Sequence, residues 1–438
     1  MTQIVLIGNT LEGLQIIERL ITRDANVTVT VLASPDERPH ARQRLCDFIG
    51  GRIPFDQFIV QPRFDPHKVR VRNGADEQID RILFRKRQVI LKNKDKLPYD
   101  YLILSDTGTR ACPNIKGTQK TGVFGFLNLS DAQGILQRLG MTETIIISTS
   151  TVWGLHLAES LSSRTNKEVI VLTSIAEMCR NSMDVETFHD ICRLAQPRGV
   201  RVMDGQMSEI LGDQDVKAIR LQTGKVMACQ MVIFPDAPMD LRILQNTEIG
   251  LEGKIPVDEF FQTRVQGVYA LAGIGDSTVL AGEWLNDSYL KLIDQQTALV
   301  VGHIRDEDIP AWIPPLRQKS FLWNNIAIDF IGDTCCRDGI SFANMTDEET
   351  DGACRVFIKQ NCLNGAILMH RSNLKDRLIE AIVQRKEWED VKQQLFSQPE
   401  PSKMAVSSNS DLSDRDTGTV AVETETPGDR ITADSDRA

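Results

Sequence analysis

The apolar positions along the chain switch repeatedly between two periods. Residues 4–7, IVLI, form an unbroken apolar run of the kind that a parallel strand buried on both faces needs. Gly8 follows at a turn, and Leu14, Ile16, Ile17 and Leu20 then recur at helical spacing. VTVTVL at residues 27–32 returns to strand character, so the first 32 residues predict a strand, a glycine turn, a helix and a second strand, a βαβ unit. The same succession starts again at Glu143. There TIIISTSTVWGLHLAESL supplies an apolar run, a turn of small residues and an amphipathic helix, and EVIVLTS at residues 168–174 supplies the next strand.

Between and after these units the pattern predicts more strands. RQVILKNKDKLPYDYLILSDTG reads as a hairpin or meander, with VILK and YLILS as strands and KNKDKLP as the turn region. GVRVMDGQMSEIL, VKAIRLQTGK and ACQMVIFPD read as short strands, and GVYALAGIGDS at residues 267–277 as one more buried strand that ends in a loop of small residues. From about Leu316, FLWNNIAIDFIGD, CRVFIKQNCLNGAILM and a helix from Asn373 to about Phe396 predict a small α+β region. NCLNG between two apolar runs is a hairpin signal. Residues 397–438 are rich in Ser, Thr, Asp and Pro; they cannot bury enough apolar surface to offset chain entropy, which predicts a disordered tail.

Composition narrows the function classes. The 438 residues suffice for two or three cores, with 41% hydrophobic and 25% charged residues. A formal net charge of −10 argues against nucleic acid as a partner, because phosphate binding needs a basic face. No apolar run approaches the roughly 18–20 residues that span a bilayer, so no membrane partner is expected. No basic region precedes the first apolar stretch, which reads as a core strand and not a signal peptide. Nine cysteines, an odd number without a regular framework, predict a reducing, cytoplasmic location. They contain no C-x₂-C pair and the six histidines are scattered, so no metal site is expected.

Two βαβ units can carry two nucleotides, and the order of segments resembles the pyridine nucleotide-disulfide oxidoreductase fold. The branch it is most similar to contains ferredoxin and rubredoxin reductases and the FAD/NAD part of assimilatory nitrite reductase. The likeness covers roughly residues 2–390 and rests on the order and spacing of motifs. IVLIGNTLEGL resembles the family's G-x-G-x-x-G turn for the ADP part of FAD. Gly8 and Gly13 match its first and third glycines, and Thr10 stands at the second, where the backbone approaches pyrophosphate. RPHARQRLCDFIGGRI resembles P-Y-S-R-P-L-L-P-Y-Y-x-x-G-K-I, which puts Arg42 near the FAD. LPYDYLILSDTGTRACPNIKG resembles Y-D-x-L-L-I-A-T-G-A-R-P, with Thr107 and Gly108 on the threonine–glycine pair. GVYALAGIGDS resembles the second FAD motif, V-Y-A-x-G-D, with Gly275 and Asp276 on its glycine–aspartate pair and about three extra residues before them. SFLWNNIAIDFIGD resembles the start of the family's C-terminal domain and puts Trp323 near the flavin.

The second unit departs further. On the NAD(P)H-binding turn the three glycine positions are Thr149, Thr151 and Gly154, and PDAPMD at residues 235–240 stands where the family writes G-x-R-P-N. The hydroxyls of this turn could accept a phosphate or mark a site that has been lost. No acid closes the second strand of the first unit as a ribose partner; Asp36 or Glu37 could substitute from the loop, or be solvated turn residues. Cys46 lies close to the place of a redox cysteine in some relatives, with a partly buried structural thiol as the simpler expectation.

The resemblance therefore implies an α/β fold of two Rossmann-like βαβ domains, the second inserted into the first, with a small α+β C-terminal domain and a disordered tail. The expected boundaries are residues 1–116 and 240–316 for FAD, 117–239 for NAD(P)H, 317–396 for the C-terminal domain and 397–438 for the tail. It implies an FAD-dependent NAD(P)H oxidoreductase. Gly8, Gly13, Arg42, Thr107, Gly108, Gly275, Asp276 and Trp323 would serve FAD and Gly154 would serve NAD(P)H, with electrons passing to a small-molecule acceptor or an iron–sulfur electron-transfer partner. The alternative is a degenerate relative that binds FAD only, or no cofactor, and serves in sensing or assembly.

Overall fold

The computed structural model describes residues 1–35, 37–61, 64–65, 67–106, 113–237, 240–249, 255–271, 274–276, 288–309, 315–323, 325–335, 340–347 and 352–396. The expected tail, residues 397–438, and Thr107, Gly108 and Asp36 lie outside them. Among the described residues, three five-stranded sheets, two three-stranded ones and one two-stranded pair organise the chain.

The first sheet is parallel throughout, in the order Val268–Ala270, Tyr101–Leu104, Thr2–Ile7, Val27–Leu32, Val69–Arg72. Its central strand carries the apolar run because both faces are covered. Ile4 and Leu6 pack toward helix Leu11–Arg23, which offers Leu14, Ile16, Ile17 and Leu20, and toward helix Ser288–Ile304, which offers Leu292, Ile293 and Val300. Val5 and Ile7 point the other way, onto Ile82, Val89 and Leu91 of a three-stranded antiparallel sheet. The strand from residues 268–270 comes late in the chain yet pairs with Tyr101–Leu104, so this sheet is built from two distant stretches.

The second parallel sheet repeats the plan, in the order Val200–Asp204, Glu168–Thr173, Thr144–Ser148, Met231–Phe234, Val123–Gly125. Ile145 and Ile147 pack in one core with Leu155, Leu157 and Leu161 of helix Val152–Arg164. Ile146 packs in another, with Ile210, Ile219 and Met227 of a three-stranded antiparallel sheet. The third sheet is antiparallel, in the order Gln318–Trp323, Ile326–Gly332, Cys362–Met369, Gly352–Lys359, Ile340–Asp347.

Three local expectations are corrected. VILK and YLILS do not pair with each other. Gln88–Leu91 pairs antiparallel with Lys96–Pro98, inside the expected turn region, whereas Tyr101–Leu104 joins the first sheet because its side chains are apolar on both faces. The last hairpin turns at Gln360 and Asn361, whose φ values of 52° and 63° suit a two-residue turn. Asn364 and Gly365 lie within the strand, and Gly365 is needed there because a β-carbon would meet the Asp333 carbonyl at 2.3 Å. The expected final helix is two helices, Lys375–Val383 and Trp388–Phe396, separated at Arg385 with φ 50°.

Candidate functional site: two glycine turns

The first turn follows Ile7 directly. Gly8 has φ 98°, and a β-carbon there would lie 2.5 Å from the Asp106 amide nitrogen and 2.7 Å from the Ser105 hydroxyl. The clash arises because Ser105 N and Asp106 N both donate to the Ile7 carbonyl, at 2.8 and 3.2 Å, and draw the end of the neighbouring strand over the turn. Gly13 lets the helix close on its strand, since a β-carbon would meet Leu6 Cδ1 at 2.7 Å. Thr10 is the N-cap: the Gly13 amide donates to its Oγ1 at 3.3 Å. A residue that departs from the glycine pattern thus starts the helix.

In front of this turn opens a cleft of about 500 Å³. It lies off the carboxyl ends of the parallel strands, at Ile7, Leu32 and Leu104, where open α/β sheets hold their ligands. Arg42 lines it, and its Nη2 donates to Asp106 Oδ2 at 3.2 Å. Glu37 also lines it and is only 14% exposed, so it is a residue of the cleft and not a solvated one. Its Oε1 lies 3.2 Å from His40 Nδ1 and accepts the Leu129 amide at 3.4 Å. Glu12, buried in the first turn of the helix, adds a carboxylate to the lining. The open cleft in front of this tight turn fits an extended dinucleotide; the charges around it are mixed.

The second turn has the same position in its own sheet and a different filling. Thr149 Oγ1 donates to Asp236 Oδ2 at 2.8 Å, the Ser150 amide to the same oxygen at 2.7 Å, and Thr151 Oγ1 to Asp236 Oδ1 at 2.6 Å. Thr151 is the N-cap of helix Val152–Arg164, but its hydroxyl caps no helix amide. Gly154 lies against Thr149: a β-carbon would sit 2.3 Å from its Oγ1 and 2.4 Å from its Cβ.

The structure therefore brings Gly8, Thr10, Arg42 and Glu37 to one cleft and Gly154 to another turn. Gly275 and Asp276 form a short parallel pair with Ile255 and Pro256. Trp323 is fully buried, 6.1 Å from the Phe321 ring centre, in the core common to the second and third sheets. Cys46 is fully buried in the same core, and burial pushes its thiol well above the usual range, opposed by the charge of Lys319. Burial disfavours a thiolate there. His156, whose Nε2 lies 3.3 Å from Arg52 Nη2 and whose ring stacks on Phe321 with centres 5.1 Å apart, is pushed well below its usual range by burial and then by Lys319 and Arg52. Sequence reasoning missed Glu12, Asp106 and Asp236. For Asp236 a signal existed, an acid in the segment that should read G-x-R-P-N.

Comparison with known proteins agrees with this architecture. Nitrite reductase [NAD(P)H] of Bacillus subtilis (strain 168) is 19% identical over 388 residues, covering 87% of this chain and 47% of that protein. The chain spans about half the length of the curated relatives it matches. Among solved structures, the covalent putidaredoxin reductase–putidaredoxin complex superposes with a TM-score of 0.72 at 15% identity, covering 88% of this chain and 93% of that one. NADH:rubredoxin oxidoreductase from Clostridium acetobutylicum gives 0.69 at 18%, covering 90% and 99%. Both show the fold. The family model described as pyridine nucleotide-disulphide oxidoreductase matches residues 2–293, a stretch that contains both parallel sheets and both glycine turns, and the chain belongs to that family.

Proposed function

We propose that this chain is a flavin-dependent oxidoreductase of the electron-transfer type, which holds FAD along the cleft that opens at Gly8. The observation that carries this reading is the Gly8–Gly13 turn itself, tight enough to exclude side chains at both glycines and open to a cleft at the ends of the parallel strands. Residues 1–116 and 240–316 would form the FAD unit. Gly8 and Gly13 would hold its pyrophosphate end, Arg42 would face it, and Thr107, Gly108, Gly275 and Asp276 would hold the rest. The 317–396 unit would cover the flavin, with Trp323 packed in the core behind that face. Bound FAD would supply the redox chemistry, and the protein would align it and shield it from water.

Electrons would leave to an iron–sulfur carrier or a small acceptor. Support comes from the fold shared with a reductase solved together with putidaredoxin and with a rubredoxin oxidoreductase. In the family, the reductant is a pyridine nucleotide bound at the second turn, within residues 117–239. The cysteine usage supports a cytoplasmic location.

The test is the visible spectrum of the purified chain before and after incubation with FAD. Protein-bound bands near roughly 370 and 450 nm that survive gel filtration and bleach on reduction support the proposal. A protein that stays colourless after FAD is added overturns it.

A further inference from the structure

We propose that Asp236 is the resident ligand of the second turn and closes it to dinucleotides, so that the reductant is not a nicotinamide nucleotide held there. This rests on the preceding reading only for the place where such a nucleotide would be expected.

Three donors that this turn would offer a phosphate are already engaged by Asp236. Both carboxylate oxygens of Asp236 are bound, by two hydroxyls and one amide at 2.6–2.8 Å, the range of charge-assisted hydrogen bonds. The Thr151 amide donates to Thr149 Oγ1 at 3.2 Å, and Asn181 Nδ2 donates to Ser150 Oγ at 3.2 Å, so two more polar groups of the turn are tied within the protein. The carboxylate stands at the amino end of helix Val152–Arg164, which has 13 residues and whose dipole favours an anion there. It takes the electrostatic place of a phosphate.

Delivery of Asp236 is set by the sheet. Strand Met231–Phe234 pairs in parallel with Thr144–Ser148, Ile233 beside Ile147, so two residues beyond each strand end Asp236 meets the turn. A pyrophosphate brought to the same donors would meet this carboxylate, and the two like charges would repel in this partly buried setting. The first turn differs: its N-cap hydroxyl accepts the Gly13 amide and its cleft stays open.

The test uses the full chain as purified, titrated by calorimetry with NADH and with NADPH. No saturable binding below about 1 mM is expected, and a Kd of about 100 μM or tighter for either nucleotide overturns the proposal. Calorimetry does not depend on flavin loading, so this result is separate from that of the FAD spectrum. Asp236→Ala frees the Ser150 amide and both hydroxyls. Inorganic pyrophosphate should bind this variant at least about tenfold more tightly than the parent, reflecting loss of the competing charge. Should Asp236→Ala fail to fold, Asp236→Asn keeps the shape and removes the charge, and the same comparison applies. Equal pyrophosphate affinity in parent and folded variant overturns the assignment.

Discussion

Gly154 is a glycine because of Thr149: a β-carbon at 154 would lie 2.3 Å from the Thr149 hydroxyl oxygen and 2.5 Å from its methyl carbon. Within a helix, Gly→Ala alone would stabilise by up to about 1 kcal/mol. Here the clash decides the sign, and Gly154→Ala should cost about 2–3 kcal/mol in urea denaturation. Combining it with Thr149→Gly should recover part of that loss, since the obstructing side chain is gone. A double variant no more stable than Gly154→Ala would mean that the collision lies elsewhere.

At the first turn, Thr10 has two separable effects. As N-cap it accepts the Gly13 amide, so Thr10→Ala should cost about 1 kcal/mol, and Thr10→Gly only a few tenths. Thr10→Gly also removes the β-branched side chain from the lip of the cleft and should tighten FAD binding severalfold, read by fluorescence quenching of added FAD. Weaker binding in that variant would show that the hydroxyl itself holds the nucleotide.

His156 gives the fold a pH dependence of known sign. Burial, with Lys319 and Arg52 nearby, holds its folded pKa well below the ordinary value of 6.5. Below about pH 6.5 the unfolded chain takes up a proton that the fold refuses, so the unfolded state binds more protons and stability drops with falling pH. The slope from this residue is at most about 1.4 kcal/mol per pH unit, and the stabilisation is complete above pH 6.5. Urea titrations at acid and neutral pH should show this decline, and His156→Gln should flatten it.

Cys46 should be chemically silent in the native protein. Its thiol is 0% exposed and held well above the ordinary value of 9.0 by burial. Iodoacetamide near neutral pH should leave it unmodified until denaturant is added, as read by mass spectrometry. The linkage runs opposite to that of His156: the contribution is present below pH 9.0 and is lost as pH rises above it, because only the unfolded thiol then ionises readily. Rapid labelling of the native protein would place Cys46 in an open, reactive setting.

Much of the architecture was legible because local pattern and global burial coincide. Residues 4–7 are apolar on both faces, and both faces of that strand are covered; Leu14, Ile16, Ile17 and Leu20 lie on the buried side of their helix. Gly8 and Gly13 were readable for the same reason, since each is demanded by a neighbour close in the βαβ unit or directly beside it. The filling of the second turn was not. Asp236 and Thr149 are 87 residues apart, and only the register of Met231–Phe234 on Thr144–Ser148 joins them. Arg42 and Asp106 are likewise 64 residues apart, and only the tertiary fold brings them together. The turn at Gln360 and Asn361 was masked by a stronger glycine signal at Gly365, whose glycine serves a backbone crossing and not a turn.

The attachment of Asp236 also has a meaning in terms of competition. A carboxylate fixed two residues past the end of a paired strand is a tethered inhibitor of its own turn. Its encounter is intramolecular, and even a short flexible tether gives an effective concentration on the order of millimolar, with a rigid one giving more. A free nucleotide at micromolar or millimolar levels would compete against a rival that never diffuses away. One substitution in a strand-end loop would thereby switch off a binding turn while leaving both sheets and both helices in place.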